Sequence, residues 1–514
     1  MSHPDLEHSP GANANEQQLL ESDKRLLELG YKPEFRREMS LFGVLGISFC
    51  AIGILTGMSS AFQTGLFSGG PLGLFWGWNI CSLFMLFIAL SQAEICSALM
   101  DLLNRHDPHR NLRKPQVRNS STYFLVTNNP NAHASTALYL ASLAEVGQGR
   151  ILTRVEIAAI AWGVNIASGI INTIGTKAIG RMSNFNIWWT LAGTFVLVVT
   201  LLVKSPAKNS ASFVFTDFEN FTGWESKAFV VLLGFLQAVY TLEGSETAGQ
   251  VAEEAKRAEL LAPIAVVASI VGSWLIGLAY MLALLFSVQS IPSIQATSYA
   301  IPIAQLYYDA VGPKLTLMCL TFVGLAQFMA AVTAFTASSR LFYALARDDA
   351  FPAKKAYMSL NRFQAPYVGV WTSVLVGCVI SCAYIGSPIA FNAILSSAAI
   401  AVMLGYLQPI IIRVFWPSAL TVRGPFHLGR WSWAINAAGF AFTVFVCILF
   451  VLPTSHPVNE NNMNYAVVSV GGVILIVALT WLFWGRHRFR GPVHTNIGIG
   501  GGGGDEHSIG NEKS

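Results

Sequence analysis

The run Tyr240-Thr241-Leu242-Glu243-Gly244-Ser245-Glu246-Thr247-Ala248-Gly249 places two carboxyl groups and two glycines in a long apolar stretch. A charge in the middle of a bilayer costs at least ~2.5–3.5 kcal/mol, so it usually faces a cavity or a partner. The chemistry open to it there is to hold a cation or to take up and release a proton. Glu243 is the deeper of the two and reads as part of a polar site. Glu246 belongs either to that site or to the water-facing surface, and Glu253, Glu254, Lys256 and Arg257 read as a solvated helix end. A second apolar stretch carries Gly46, Gly53 and Gly57. Glycine weakens a helix and permits a local break. Small residues equally let helices pack closely, and the sequence leaves both readings open.

Other chemistries lack their residues. His106 and His109 stand close together, but no further Cys or His completes a metal-ligand set. There is no nucleophile elbow, no paired catalytic histidines and no phosphate-binding loop. The Gly500–Gly504 run lacks the following Lys of a nucleotide-binding loop. No cofactor and no metal are expected.

Only 12% of the 514 residues are charged, against 53% hydrophobic. Soluble chains carry about 25% charged residues, so much of this surface avoids water. The net charge of +4 is too small to point to a nucleic-acid partner. Cys50, Cys81, Cys96, Cys319, Cys378, Cys382 and Cys447 all lie in apolar blocks and read as free, buried side chains. No short apolar core with a cleavage site occurs in the polar first 40 residues, so no signal peptide is expected.

Apolar blocks run over 42–66, 72–100, 155–175, 186–203, 228–249, 264–288, 315–339, 366–385, 388–411, 431–452 and 464–484, eleven spans in all. Each approaches the roughly 20 residues that cross a ~30 Å hydrocarbon core as a helix. Residues 1–40 read as a cytoplasmic tail, 41–485 as the membrane domain, and 486–514 as a disordered cytoplasmic tail. Basic residues support this orientation: Lys24, Arg25, Lys32, Arg36 and Arg37 before the first span, and Arg486, Arg488 and Arg490 after the last.

Two ends on one side require an even number of crossings, and eleven is odd. The basic loops at Lys256/Arg257, Arg347/Lys354/Lys355/Arg362 and Arg413/Arg423/Arg430 fall on one side only if a further crossing precedes Val155. Residues 101–136 are polar, basic and rich in Asn and Pro; only Ala137–Val146 is apolar, and it contains Glu145. Ten helical residues rise about 15 Å, half a bilayer. The topology demands a third helix that the composition only half supplies. In a transporter, two interrupted helices in corresponding halves point to the binding site. The ends of broken helices offer backbone donors and acceptors that hold a carboxylate or an amine.

Several motifs then converge: Ser68-Gly69-Gly70-Pro71; Gly244-Ser245-Glu246 followed by Ala252-Glu253-Glu254; the long run from Ser338 to Pro352; Phe391-Asn392-Ala393; and Asn462-Met463-Asn464-Tyr465-Ala466. Together they resemble the amino acid–polyamine–organocation superfamily, in its fungal amino acid, GABA and choline permease branch, over residues 38–100 and 137–492. The resemblance implies an all-α polytopic fold of the LeuT type. Helices 1–5 and 6–10 form inverted repeats, two helices stand outside them, and helix 3 is disrupted. It also implies alternating-access transport of an amino acid, GABA or a small amine such as choline, with H+ as the coupling ion. The substrate would lie at the unwound parts of helix 1, with Cys50, Ala51, Ile52 and Gly53, and of helix 6, with Tyr240, Thr241, Leu242, Glu243, Gly244 and Ser245.

The Arg340 and Arg347 segment is expected to shape the cytoplasmic end of helix 8. Multi-pass residence in the plasma membrane is expected, with the vacuolar membrane as the alternative. Asn220-Phe221-Thr222 is a glycosylation sequon in a loop expected to face outward. Where the resemblance lapses, at 101–136, a reading-frame shift or retained intron is the favoured reading; a translated insert would leave the site without a wall and the protein inactive. The competing functions are a non-transporting nutrient receptor of the same fold and a membrane-embedded enzyme, and the His/Asp clusters the enzyme would need are missing.

Overall fold

The computed structural model describes residues 40–104, 129–252, 255, 257–347, 353–417, 424–460, 462–480 and 482–483. The two tails, His106, His109, Glu253, Glu254 and Lys256 lie outside the described residues, as do 105–128 of the polar insert.

The chain enters the bundle through α1 (Leu41–Ile52), capped by Ser40, whose hydroxyl accepts from Gly43 N at 3.3 Å. It continues as α2 (Ile54–Phe67), α3 (Gly70–Asn104), α4 (Asn129–Gln148), α5 (Arg154–Thr173) and α6 (Thr176–Lys204). After the short α7 (Ala211–Thr216) come α8 (Lys227–Leu242), α9 (Thr247–Gln250) and α10 (Ala258–Ser287). The short helices α11 (Ile291–Gln295) and α12 (Ile303–Val311) lead into α13 (Pro313–Arg347), and α14 (Lys354–Tyr357) into α15 (Tyr367–Gly386). The last three are α16 (Pro388–Phe415), α17 (Ser432–Leu449) and α18 (Ala466–Thr480).

Ten segments among the described residues are long and apolar enough to cross a membrane, and Ala466–Ile476 of α18 is a shorter apolar helix. The eleven apolar blocks are accounted for in this way. What the blocks lacked was α4. It lacks the hydropathy of the other crossings, yet its backbone runs for 20 residues, which at 1.5 Å per residue rises about 30 Å. It begins eight residues before the apolar core at Ala137, so the expected loss of a wall does not occur. Its polar residues are sheltered by protein: His133, Ser135, Thr136, Ser142 and Glu145 are all buried. The His133 ring stacks on Phe335 of α13 with centroids 4.0 Å apart. Protein-facing polar groups are tolerated at membrane depth, whereas lipid-facing ones are not.

The far end of α4 is tied to the connection that follows α10. Ala300 N donates to Glu145 Oε2 at 2.8 Å and Ile301 N to Ser142 Oγ at 3.1 Å. With α4 and the shorter α18 counted beside the ten apolar spans, the described long helices number twelve, the even number that two ends on one side would require. Glu145→Ala leaves the half-buried amides of Ala300 and Leu152 without their acceptor, a loss of about 1 kcal/mol. A lower melting temperature of the purified protein is expected; an unchanged one would mean that this tie is not stabilising.

The seven cysteines are free, as expected, but they are not all buried: Cys382 is exposed on the outer surface of the bundle. Asn220 of the sequon is exposed, and its amide nitrogen donates to Trp224 O at 2.8 Å.

Candidate substrate site

The first crossing is broken at one residue. Gly53 adopts φ 59°, ψ 63°, the left-handed region that suits a residue without Cβ, and separates α1 from α2. Gly53 N still donates to Phe49 O at 3.2 Å, while Gly53 O accepts from Gly57 N at 2.7 Å. The other two glycines of the segment serve packing. Gly46 lies against Ile187 and Asn184 of α6, and a Cβ on Gly57 would stand 3.0 Å from the Cα of Thr241. Both readings of the glycine-rich segment therefore hold, for different glycines.

The sixth crossing is broken more widely. Helix α8 stops at Leu242, Glu243 is extended (φ −70°, ψ 152°), and Gly244 has φ +111°. A short turn follows: Thr247 donates to Gly244 O through its backbone N at 3.2 Å and its hydroxyl at 2.7 Å. The two breaks meet backbone to backbone. A Cβ on Gly244 would stand 2.9 Å from the carbonyl carbon of Ala51 and 3.1 Å from Ile52 N. Ser48 of α1 adds a cross-link, donating to Ser245 O at 3.0 Å.

Between the breaks and α13 lies a cavity of about 100 Å³. One water needs roughly 10–15 Å³ on this measure, so the space suits a small molecule. Of the ten residues expected at the site, Ala51, Ile52, Tyr240, Glu243 and Gly244 line it. The other five stand behind it. Cys50 is buried and its sulfur accepts from Asn186 Nδ2 at 2.7 Å and Thr333 Oγ1 at 3.2 Å. Thr241 donates to Gln237 O at 2.7 Å, Leu242 is fully buried, Gly53 forms the break, and Ser245 is tied to Ser48.

Glu243 is only 6% exposed, and its Oε1 has no hydrogen-bond partner. Glu246, which sequence reasoning left between site and surface, faces the same cavity, where Tyr406 of α16 donates to its carboxylate. The Tyr406 hydroxyl also accepts from Gly244 N at 3.0 Å. None of the lining residues is basic. Among the described residues, the cavity thus presents two carboxyl groups and no basic side chain. Gln327, Ala330, Ala334 and Ala337 of α13 form the opposite wall. Sequence reasoning missed Tyr406, which does not break the apolar pattern of its helix, and Gln327, which is polar but uncharged. Helix α4 supports the site as well: Tyr139 Oη donates to Thr56 O at 3.2 Å.

Three comparisons bear on this geometry. A family profile described as amino acid permease matches residues 39–479. The amino-acid permease BAT1 homolog of Oryza sativa subsp. japonica is 31% identical, with 92% of this chain and 95% of that protein aligned. Amino-acid permease BAT1 of Arabidopsis thaliana is 30% identical over 91% and 96%, and the GABA-specific permease of Saccharomyces cerevisiae 25% over 93% and 86%. Among solved structures, MhsT in complex with L-phenylalanine superposes with a TM-score of 0.55 at 15% identity, covering 81% of this chain and 98% of that one. That likeness shows the LeuT-type fold, to which the paired helix breaks belong. The chain is a multi-pass membrane protein and belongs to the amino acid permease family of the amino acid–polyamine–organocation superfamily.

Proposed function

We propose that this protein carries a small amino acid or amine across the membrane by alternating access, with the cavity between the two helix breaks as its substrate site. The observation that carries the reading is Glu243, a buried carboxyl with an unpartnered oxygen in a cavity without a basic residue. Burying such a group is costly unless a cation or a proton joins it. The amine of a substrate supplies the cation. The N-terminal end of α2, with Thr56 and Gly57 at the cavity, turns a positive helix end toward a substrate carboxylate. The names of the relatives favour amino acids, and one of them GABA. Coupling to H+ is part of the proposal, since among the described residues the cavity's titratable lining is two carboxyl groups and Tyr240.

Both ends of the described chain are proposed to face the cytoplasm, on the strength of their flanking Lys and Arg. Residues 101–136 are proposed to mark a reading-frame shift or a retained intron, on the strength of their polar, Asn- and Pro-rich composition. A transcript that encodes them as written would overturn that reading.

The test is uptake of radiolabelled L-amino acids, GABA and choline by cells expressing the chain, with the outside pH stepped from 7.5 to 5.5. Saturable uptake of at least one compound, faster at the acid pH, is expected. Uptake indifferent to pH would remove proton coupling, and no uptake of any compound by surface-expressed protein would remove transport.

A further inference from the structure

Outside the cavity, the densest polar cluster in the described bundle surrounds Glu94 on α3. Its carboxylate is 5% exposed and accepts five hydrogen bonds. Arg413 of α16 donates through Nη2 at 3.3 Å and Nε at 3.4 Å. Ser432 Oγ and Asn436 Nδ2 of α17 donate at 2.7 and 3.2 Å, and Leu428 N at 3.3 Å. One turn further along α3, Ser97 Oγ accepts from Phe426 N at 3.0 Å. Gly424 lies so close that a Cβ there would meet the Ser97 carbonyl oxygen at 2.6 Å. The end of the α16–α17 connection is therefore pinned to α3.

The same two helices reach the break in the sixth crossing. On α16, Tyr406 stands seven residues before Arg413, two helical turns away on the same side. Between them Pro409 lacks the N–H that would bond Gly405 O, so α16 is weakened between its two anchors. On α3, Gln92 accepts from Ser245 Oγ at 3.5 Å. We propose that Glu94 is a positioning residue: by clamping the Arg413 end of α16 to α3, it fixes Tyr406 against Gly244 and Glu246 and so sets the shape of the helix break at the cavity. The clamp passes through a Pro-weakened helix, so its release lets the Tyr406 half of α16 shift. Its role in transport rests on the proposed function. The geometry itself does not, and it is tested without a substrate.

Spatial continuity alone does not establish coupling, so the test must measure it. Amide hydrogen exchange on the purified full-length protein compares wild type with Glu94→Gln, Tyr406→Phe and the double variant. Loss of a charge-assisted cluster is expected to speed exchange about tenfold or more in peptides covering 424–436 and also in those covering 240–250. Because the two sites share one path, the double variant is expected to exchange at 240–250 no faster than the faster single variant. Acceleration confined to 424–436 in Glu94→Gln would overturn the proposal and leave Glu94 a local anchor. Multiplying effects in the double variant would also overturn it. Should Glu94→Gln fail to fold, Tyr406→Phe reads the link from its other end. Coupling is reciprocal, so faster exchange at 424–428 is expected there, and unchanged exchange would overturn the proposal.

Discussion

Gly244→Ala is expected to cut uptake about a hundredfold. Two costs combine. The backbone at φ +111° is nearly closed to residues with a Cβ, a penalty of about 1–3 kcal/mol. The added carbon would also sit 2.9 Å from the Ala51 carbonyl carbon and 3.0 Å from its oxygen. Both contacts are with backbone, which cannot rotate away, so the two breaks must separate. Each ~1.4 kcal/mol reduces the population of the intact site tenfold. A loss of about a hundredfold in uptake at equal surface expression is expected. Gly57→Ala is a useful control, since that Cβ meets Thr241 at 3.0 Å within regular helix; a milder defect is expected there. Normal uptake by Gly244→Ala would show that the meeting of the breaks is not required.

Glu243→Gln is the second large effect. Gln has nearly the same shape and keeps the polarity, so the bundle is expected to fold and reach the surface. What disappears is the negative charge. A hydrogen bond to a charged group contributes about 1.5–3 kcal/mol, so roughly a ten- to hundredfold weaker interaction with a cationic group is expected. If Glu243 binds the substrate amine, KM rises and the pH dependence of uptake persists. If it carries the proton, maximal velocity falls and uptake stops responding to external acid. Uptake kinetics equal to wild type would remove Glu243 from the mechanism.

Much of this site was legible because membranes make polarity conspicuous. Glu243 stands out as a carboxylate in an apolar run, and in the structure it lines the cavity. The same rule applies to Glu94, in the block 72–100, and there it was not followed; its partners Arg413, Ser432 and Asn436 lie more than 300 residues away in sequence. Glu246 was undecided for a related reason. Its depth depends on where α8 stops, and its partner Tyr406 looks like an ordinary aromatic of an apolar helix. Three glycines announced a weak first helix, but sequence does not say which becomes the break. That choice is made by neighbours: α6 lies against Gly46 and Thr241 against Gly57, leaving Gly53 to bend.

The least legible element was α4. Hydropathy reads a crossing through its contact with lipid, and α4 is enclosed by α5, α13 and α15, so its polar residues carry no penalty that a composition count detects. Half of a helix was visible, and the rest was hidden by its surroundings. The cysteines erred in the other direction. An apolar block does not distinguish a buried thiol from an exposed one such as Cys382.

The central claim is that the cavity between the two breaks carries substrate through the membrane, and counterflow tests it most directly. Purified protein is reconstituted into liposomes loaded with an unlabelled compound from the uptake panel, and entry of the labelled compound is followed after dilution. Transient accumulation above equilibrium is expected for at least one amino acid or amine, absent in Gly244→Ala liposomes. Equal, non-accumulating entry in protein-containing and empty liposomes for every compound in the panel would contradict the claim.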